Sequence, residues 1–200
     1  MSKKYFRLVQ TMFVSLVCFA VTTFAQTAPT SFPNIKIKNF GQMDVNYYRG
    51  AQPKRDDFQS LKDLGIKTVI DLQGNPTDYE KSAVESLGMT YINIPMSGYK
   101  YPKAENIERF LKLINDPETG AFFVHCKAGI HRTGVVGAAY RFTKYGWGYD
   151  QVYKEMKNYD FSAGLFHRRF KTFVRDYAEQ TVISKAKMIN SQESAQANEK

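Results

Sequence analysis

The chain has 200 residues, of which 43% are hydrophobic and 14% aromatic, enough for one domain of ordinary size with a sizeable core and short tails. Its two cysteines, Cys18 and Cys126, are too few for a disulfide-stapled scaffold. The net charge of +9 is spread without an arginine-rich run or a zinc-finger spacing, which gives no footing for a nucleic-acid partner but suits a site for anionic substrates.

Residues 1–25 read as a secretory leader. Lys3, Lys4 and Arg7 form a basic start, Met12 to Phe24 is mostly apolar, and Thr23-Phe24-Ala25 is a small-residue cleavage pattern ahead of Gln26. The apolar run is short for a membrane span. Cleavage after Ala25 is expected, with a periplasmic or secreted product and no stable membrane span; an uncleaved anchor is the alternative. Three of the 28 basic residues and none of the 19 acidic ones lie in the leader, so the mature chain carries +6 and a single thiol, Cys126. A lone thiol in an oxidising compartment is a liability unless it does chemistry.

Residues 26–34 are a linker by composition, 35–184 the folded domain, and 185–200 a polar tail expected to fray. Ile35 to Phe40 alternates like an edge strand, Gly41 to Asn46 reads as a turn, and Tyr47-Tyr48-Arg49 as a short strand broken by Gly50. Pro53 suits the first position of a helix with Phe58, Leu61 and Leu64 on one face. Gly65 ends it, and Ile66 to Leu72 is the next strand. The pattern repeats: Asp78, a good N-cap, opens a helix to Leu87, Gly88 stops it, and Met89 to Ile94 is a strand. Pro102 starts a further helix with Ile107, Phe110, Leu111 and Ile114 at helical spacing, and Asn115-Asp116-Pro117 ends it. Helix, glycine and strand twice over predict an α/β fold with a central, mainly parallel sheet flanked by helices. Later helices are expected from Thr133 to about Tyr145, around Tyr149 to Met156, and from Phe166 to Tyr177.

The chemistry concentrates in one stretch, Phe122-Phe123-Val124-His125-Cys126-Lys127-Ala128-Gly129-Ile130-His131-Arg132-Thr133-Gly134. An apolar run, a tight loop and a helix start follow one another there. Such a loop aims backbone N–H groups at one spot, and the helix dipole favours an anion at that spot. Cys126 opens the loop and Arg132 closes it, so a sulfur can sit beneath a phosphate while a guanidinium forks onto its oxygens. The same positive field favours the thiolate.

This stretch resembles the His-Cys-(five residues)-Arg-(Ser/Thr) signature of the cysteine-based protein tyrosine and dual-specificity phosphatases. The resemblance covers about residues 35–180, with only the 125–134 motif highly specific. It implies that Cys126 is the nucleophile forming a phosphocysteine, that Arg132 holds the phosphoryl oxygens, that Thr133 eases thiolate departure, and that His125 tunes Cys126. Lys127, Ala128, Gly129, Ile130, His131 and Arg132 would line the substrate phosphate, with no metal or other cofactor needed. The implied partners are a phosphorylated protein or a small anionic phosphoester, and the implied state is a monomer. Arg49-Gly50-Ala51-Gln52-Pro53 also resembles a segment near the start of bacterial and atypical dual-specificity phosphatases; a turn with a surface arginine is the plain alternative. Gly-x-His-Arg-Thr-Gly resembles atypical phosphatases of plants and fungi that act on inositol pyrophosphates.

One departure concerns the proton. In many dual-specificity phosphatases an Ile-Pro-(apolar)-(Ser/Asn/Glu)-Asp run supplies the acid that protonates the leaving oxygen. Here the run is Ile94-Pro95-Met96-Ser97-Gly98, with Gly98 in place of the acid. Asp71, at the end of an apolar strand, is the leading substitute, against a structural role as partner of Arg132 or of a loop N–H. His131 could hold a proton or add positive charge, and Phe166-His167-Arg168-Arg169 could extend that charge. Competing readings are a different cysteine-loop enzyme, which the lack of a second mature thiol disfavours for an arsenate reductase, and a non-catalytic phosphate-binding module.

Overall fold

The computed structural model describes residues 31–198, with side chains through 192. The leader, its cleavage point and Cys18 therefore lie outside the described residues, as does most of the 26–34 linker. Five strands and six α-helices follow in chain order: β1 Gly41–Asp44, β2 Tyr47–Ala51, α1 Asp57–Asp63, β3 Thr68–Gln73, α2 Glu80–Ser86, β4 Thr90–Met96, α3 Ala104–Ile114, β5 Phe122–Cys126, α4 His131–Tyr140, α5 Tyr149–Lys157 and α6 Arg168–Asn198. The sheet order is β1-β2-β5-β3-β4. Only β1 runs antiparallel; β2, β5, β3 and β4 are parallel. This is the expected α/β architecture, with the most apolar strand, β5, at its centre.

Centrality explains why Phe122–Cys126 is a continuous buried run with no alternation. Both its neighbours are parallel strands and both its faces carry helices. One face packs against α3, α4, α5 and α6 through Phe110, Val136, Phe142, Met156 and Phe170. The other carries α1 and α2 through Phe58, Leu61, Val84 and Phe123. Each such fully buried side chain contributes roughly 1.5–3 kcal/mol of apolar transfer free energy. Pro95 is tolerated in β4 because that strand is at the sheet edge, where no partner needs its missing N–H.

Several element bounds differ from the sequence reading, each for a physical reason. Ile35–Phe40 is not a strand. Asn39 takes a left-handed φ of 51°, which breaks the extended run, and the edge strand is instead Gly41–Asp44, read from sequence as a turn. Gly50 does not break β2: a Cβ there would lie 2.9 Å from Ile37 and 3.0 Å from the Phe123 ring, so the glycine admits a close packing inside the strand. α1 starts at Asp57 rather than Pro53, and the Asp57 carboxylate accepts the Lys54 N–H at 2.7 Å. Asp78 is not an N-cap; α2 begins at Glu80 behind Tyr79, with no side-chain cap bond. α4 begins two residues before Thr133 and widens into a π-helical turn over Arg141–Tyr145. There Arg141 pairs with Glu155 through bonds of 3.1, 3.0 and 2.6 Å and donates to the Met43 carbonyl at 2.7 Å, tying α4, α5 and β1 together. The expected frayed tail is helical: α6 continues to Asn198, because after Gly164 the chain has neither glycine nor proline and is rich in helix-forming residues. Among the described residues no helix is long and apolar enough to cross a membrane.

Candidate active site

The site forms where β5 ends between β2 and β3. Register sets Ala51 opposite Cys126, and Gly50 and Asp71 on either side of His125. At this edge the carboxyl ends of parallel strands converge, the usual place for chemistry in such a sheet. The segments expected to meet there do so through Arg132, whose Nη1 donates to the Leu72 carbonyl after Asp71 and to the Met96 carbonyl at the end of β4, both at 3.3 Å. Two carbonyls therefore fix the guanidinium plane before any ligand arrives.

The loop from Cys126 to Arg132 is held by its carbonyls. The Lys127 carbonyl accepts the Gln52 backbone N–H at 3.4 Å. The Ala128 carbonyl accepts Asn39 Nδ2 at 3.0 Å. The Gly129 carbonyl accepts Nη2 of the buried Arg49. Three successive peptide oxygens are thus turned toward the β2 side, which turns their N–H groups the other way, into the loop. Gly129 has φ of 68°, and a Cβ there would stand 2.4 Å from the Ala51 nitrogen and the Gly50 carbonyl carbon. Backbone cannot move aside as a side-chain tip can, so this position admits only glycine. Lys127 and Ala128 are exposed, and Ile130, His131 and Arg132 partly so.

Cys126 is 3% exposed at the floor of this cradle. Burial pushes its thiol up. The Thr133 hydroxyl, the Arg132 charge and the backbone N–H groups of Thr133 and Ala128 outweigh that and hold it below its ordinary value. The Thr133 hydroxyl is buried and has no other partner among the described residues, so it is free to serve the sulfur.

Behind the cysteine lies a buried trio. His125 Nε2 is 2.6 Å from Glu80 Oε1, and its Nδ1 is 3.9 Å from Asp71 Oδ1; all three side chains are fully buried. Burial alone pushes the imidazole down. The hydrogen bond and charge of Glu80, with the charges of Asp71 and Cys126, more than reverse this and raise its proton affinity. These three groups lie within 4.8 Å of one another and have the donor types of a metal site. The 2.6 Å contact between two of them leaves no room for an ion between that pair.

Asp71 lies near the end of β3, beneath the loop. It is 0% exposed; Oδ1 accepts the Gln73 N–H at 2.8 Å and Oδ2 the Tyr91 hydroxyl at 2.9 Å. It does not pair with Arg132 either. Its partners are the backbone N–H at the end of β3, the Tyr91 hydroxyl and, at 3.9 Å, His125. His131 lies in the loop as expected but is turned outward. Its Nε2 is 3.0 Å from the Ser162 carbonyl, so the proton of the neutral ring sits on that nitrogen. Its ring stacks on His167, centroids 3.4 Å apart. Burial, His167 and Arg132 depress its proton affinity more than Ser162 restores it. His131 fastens the segment after α5 to the loop. Of the basic run, His167 reaches the loop by that stack, while Arg168 and Arg169 are exposed. Around Gly98 nothing lies within 4 Å of where a Cβ would be, so the usual acid position is open space.

Sequence reasoning missed Glu80 and Asn39, and left Arg49 between a surface residue and a site residue; it is 1% exposed. No local signal marks Glu80 or Asn39, because their partners lie far along the chain.

A family model described as DSP-PTPase phosphatase fused to NAD+ Kinase matches residues 21–176. NAD kinase 2, chloroplastic, of Arabidopsis thaliana is 28% identical over 123 residues, 58% of this chain but 12% of that protein. The dual specificity protein phosphatase TpbA of Pseudomonas aeruginosa is 26% identical over 137 residues, 68% of this chain and 62% of its own length. The structure of a cysteine-to-serine TpbA in complex with pTyr superposes with a TM-score of 0.64 at 23% identity, covering 82% of this chain and 99% of that one. The catalytic core of the PP-IP phosphatase Siw14 of S. cerevisiae, in complex with citrate, gives 0.65 at 20% identity, covering 78% and 95%.

Proposed function

The chain belongs to the DSP-PTPase phosphatase family, and on that footing we propose that it hydrolyses phosphomonoesters through a phosphocysteine on Cys126. The observation that carries this reading is the cradle itself: a buried thiol, lowered by its surroundings, beneath N–H groups turned inward by three fixed carbonyls, with Arg132 pre-set beside it. The thiolate attacks phosphorus, forming the S–P bond as the ester P–O bond breaks. Arg132 and the loop N–H groups carry the charge on the equatorial oxygens. Water then attacks the phosphocysteine, phosphate leaves, and the Thr133 hydroxyl hydrogen-bonds the departing sulfur. His125, held charged by Glu80 and Asp71, favours the thiolate before and after the cycle.

The leaving oxygen still needs a proton. Asp71 and His131 are both engaged elsewhere, so the donor in this reading is water or the substrate's own phosphate. The 12% of the plant NAD kinase that is shared carries no proposal of kinase activity. Phosphotyrosine is the first substrate class to test, since the TpbA structure holds pTyr. A second reading, an inositol pyrophosphate, is favoured by the likeness to Siw14 and by the Lys127 and Arg132 charges within one loop. Phosphate release from a phosphotyrosine peptide and from inositol pyrophosphates by the purified chain decides between them. No release from either, with vanadate still bound, would reduce the site to a binding module. Export is part of the proposal and rests on the leader pattern; N-terminal sequencing of the protein recovered outside the cytoplasm should begin at Gln26, whereas a chain still starting at Met1 means a retained anchor.

A further inference from the structure

Arg49 is the largest fully buried side chain of the described residues, yet it forms no ion pair there. A buried charge without an adjacent counter-charge is costly, and arginine does not escape by losing its proton. Its guanidinium lies 3.9 Å from the centroid of the Tyr159 ring, its Nη2 donates to the Gly129 carbonyl, and its Nε has no hydrogen-bond partner. The fold therefore keeps a charge in the most expensive place available, directly under the anion loop, on the strand that pairs with the one bearing the nucleophile. Its bond goes to the one loop residue whose conformation only glycine can adopt.

We propose that Arg49 is a positioning residue for the phosphatase reaction: it turns the Gly129 carbonyl out of the loop, keeps the loop N–H groups turned in, and places a buried positive charge that balances the Cys126 thiolate from beneath. The inference rests on the phosphatase reading and deepens it. Asn39 and Gln52 pin the two preceding carbonyls without charge, so Arg49 differs from them in kind. The charged groups that act on the thiol are Arg49 from β2, His125 from β5 and Arg132 from α4, and behind them Asp71 from β3 and Glu80 from α2 flank His125. With Cys126 ionised, the three cations Arg49, His125 and Arg132 match the three anions Asp71, Glu80 and the thiolate. Removing Arg49 leaves that set one negative charge in excess, and the thiolate is the member best able to take up a proton.

The test compares the wild-type chain with Arg49→Met and Arg49→Lys. The rate of Cys126 alkylation by iodoacetamide is followed against pH, inorganic phosphate and vanadate binding is measured by calorimetry, and kcat and KM are taken on an aryl phosphate. Arg49→Met should move the alkylation midpoint up by about one pH unit, a tenfold change in thiolate at a given pH. It should also lower kcat/KM by on the order of 10²-fold, the usual consequence of a loop out of register. Arg49→Lys keeps the charge but not the planar fork over Tyr159, so the midpoint should return most of the way while turnover and vanadate binding stay about tenfold down. An unchanged midpoint with unchanged phosphate binding in Arg49→Met, whatever its melting temperature, would make Arg49 merely structural and overturn the proposal. If Arg49→Met does not fold, Arg49→Lys decides alone: wild-type vanadate binding and turnover overturn the positioning role, and a loss of both with an intact alkylation midpoint supports it. Alkylation needs no turnover. Absence of hydrolysis by the wild-type chain would count against the phosphatase reading and would still leave the Arg49 effect on Cys126 readable.

Discussion

At the scale of single residues, Cys126 and Arg132 do different work and should fail differently. Cys126→Ser removes the proposed nucleophile but leaves the cradle, so turnover should vanish while vanadate or phosphate binding persists in calorimetry. Arg132→Lys keeps a charge but cannot satisfy the Leu72 and Met96 carbonyls and a phosphoryl group in one plane, so kcat should fall by roughly 10²-fold or more. The missing acid sets a third expectation. General acid help is typically worth about 10²–10⁴-fold and matters for poor leaving groups. With Asp71 buried against Tyr91 and His131 tied to Ser162, activity should drop steeply from aryl phosphates with acidic phenols to alkyl phosphates. Asp71→Asn should slow both ester classes alike and destabilise the fold; a selective loss on the poor leaving group would reinstate Asp71 as the acid. The meeting of Cys126 and Arg132 was legible in the sequence because their relation is local, six positions apart on one loop. Glu80 and Arg49 were not, because each meets its partner, His125 and Gly129 respectively, only across 45 or more positions, and neither glutamate at a helix start nor arginine in a short strand announces burial.

At the scale of elements, the loop keeps its shape through its contact with β2. Gly129→Ala forces a Cβ to within 2.4 Å of the Ala51 nitrogen and a left-handed φ on alanine. Either the loop or β2 must shift, and a loss of about 2–3 kcal/mol in unfolding free energy with loss of vanadate binding is expected, measured by urea titration and calorimetry. The Glu80–His125 pair links α2 to β5 and carries a pH signature. His125 has its proton affinity raised in the folded state, so its contribution is fully present below the unfolded value near 6.5 and is lost as pH rises through the folded one. In a Cys126→Ser background, which removes the thiol's own titration, stability should decline with rising pH across that range. Glu80→Gln should flatten the decline and lower stability on its acid side. A decline of unchanged slope in Glu80→Gln would show that the pair does not carry it. The helix-glycine-strand repeat made β3, α2, β4 and α3 readable to within a few residues. The β1–β2 hairpin was misread because Asn39 takes a left-handed conformation that an alternating pattern does not disclose, and because Gly50 packs inside a strand rather than ending it.

At the scale of the whole molecule, one topological fact organises the rest. β5 lies between β2 and β3, so the loop after it is walled by Arg49, Asn39 and Gln52 on one side and by Leu72 and Met96 on the other. The far end of the sheet has its own clamp. Asp44 accepts from Tyr140, Tyr145 and Lys144 and, despite the opposing effect of burial, is held down at about 2. That contribution is present above the unfolded value of 3.8 and is lost as pH falls toward 2, so Asp44→Asn should weaken the hairpin at neutral pH and remove part of the acid-side transition. The proposed reaction turns on a single chemical event, the transfer of a phosphoryl group to the Cys126 sulfur. The direct measurement is intact-protein and peptide mass spectrometry of an acid-quenched reaction with an aryl phosphate in the presence of a chelator. One phosphoryl group should be found on the peptide bearing Cys126, formed and lost at rates that account for turnover, and absent from Cys126→Ser. Turnover without any such adduct, or turnover that the chelator abolishes, would contradict the mechanism.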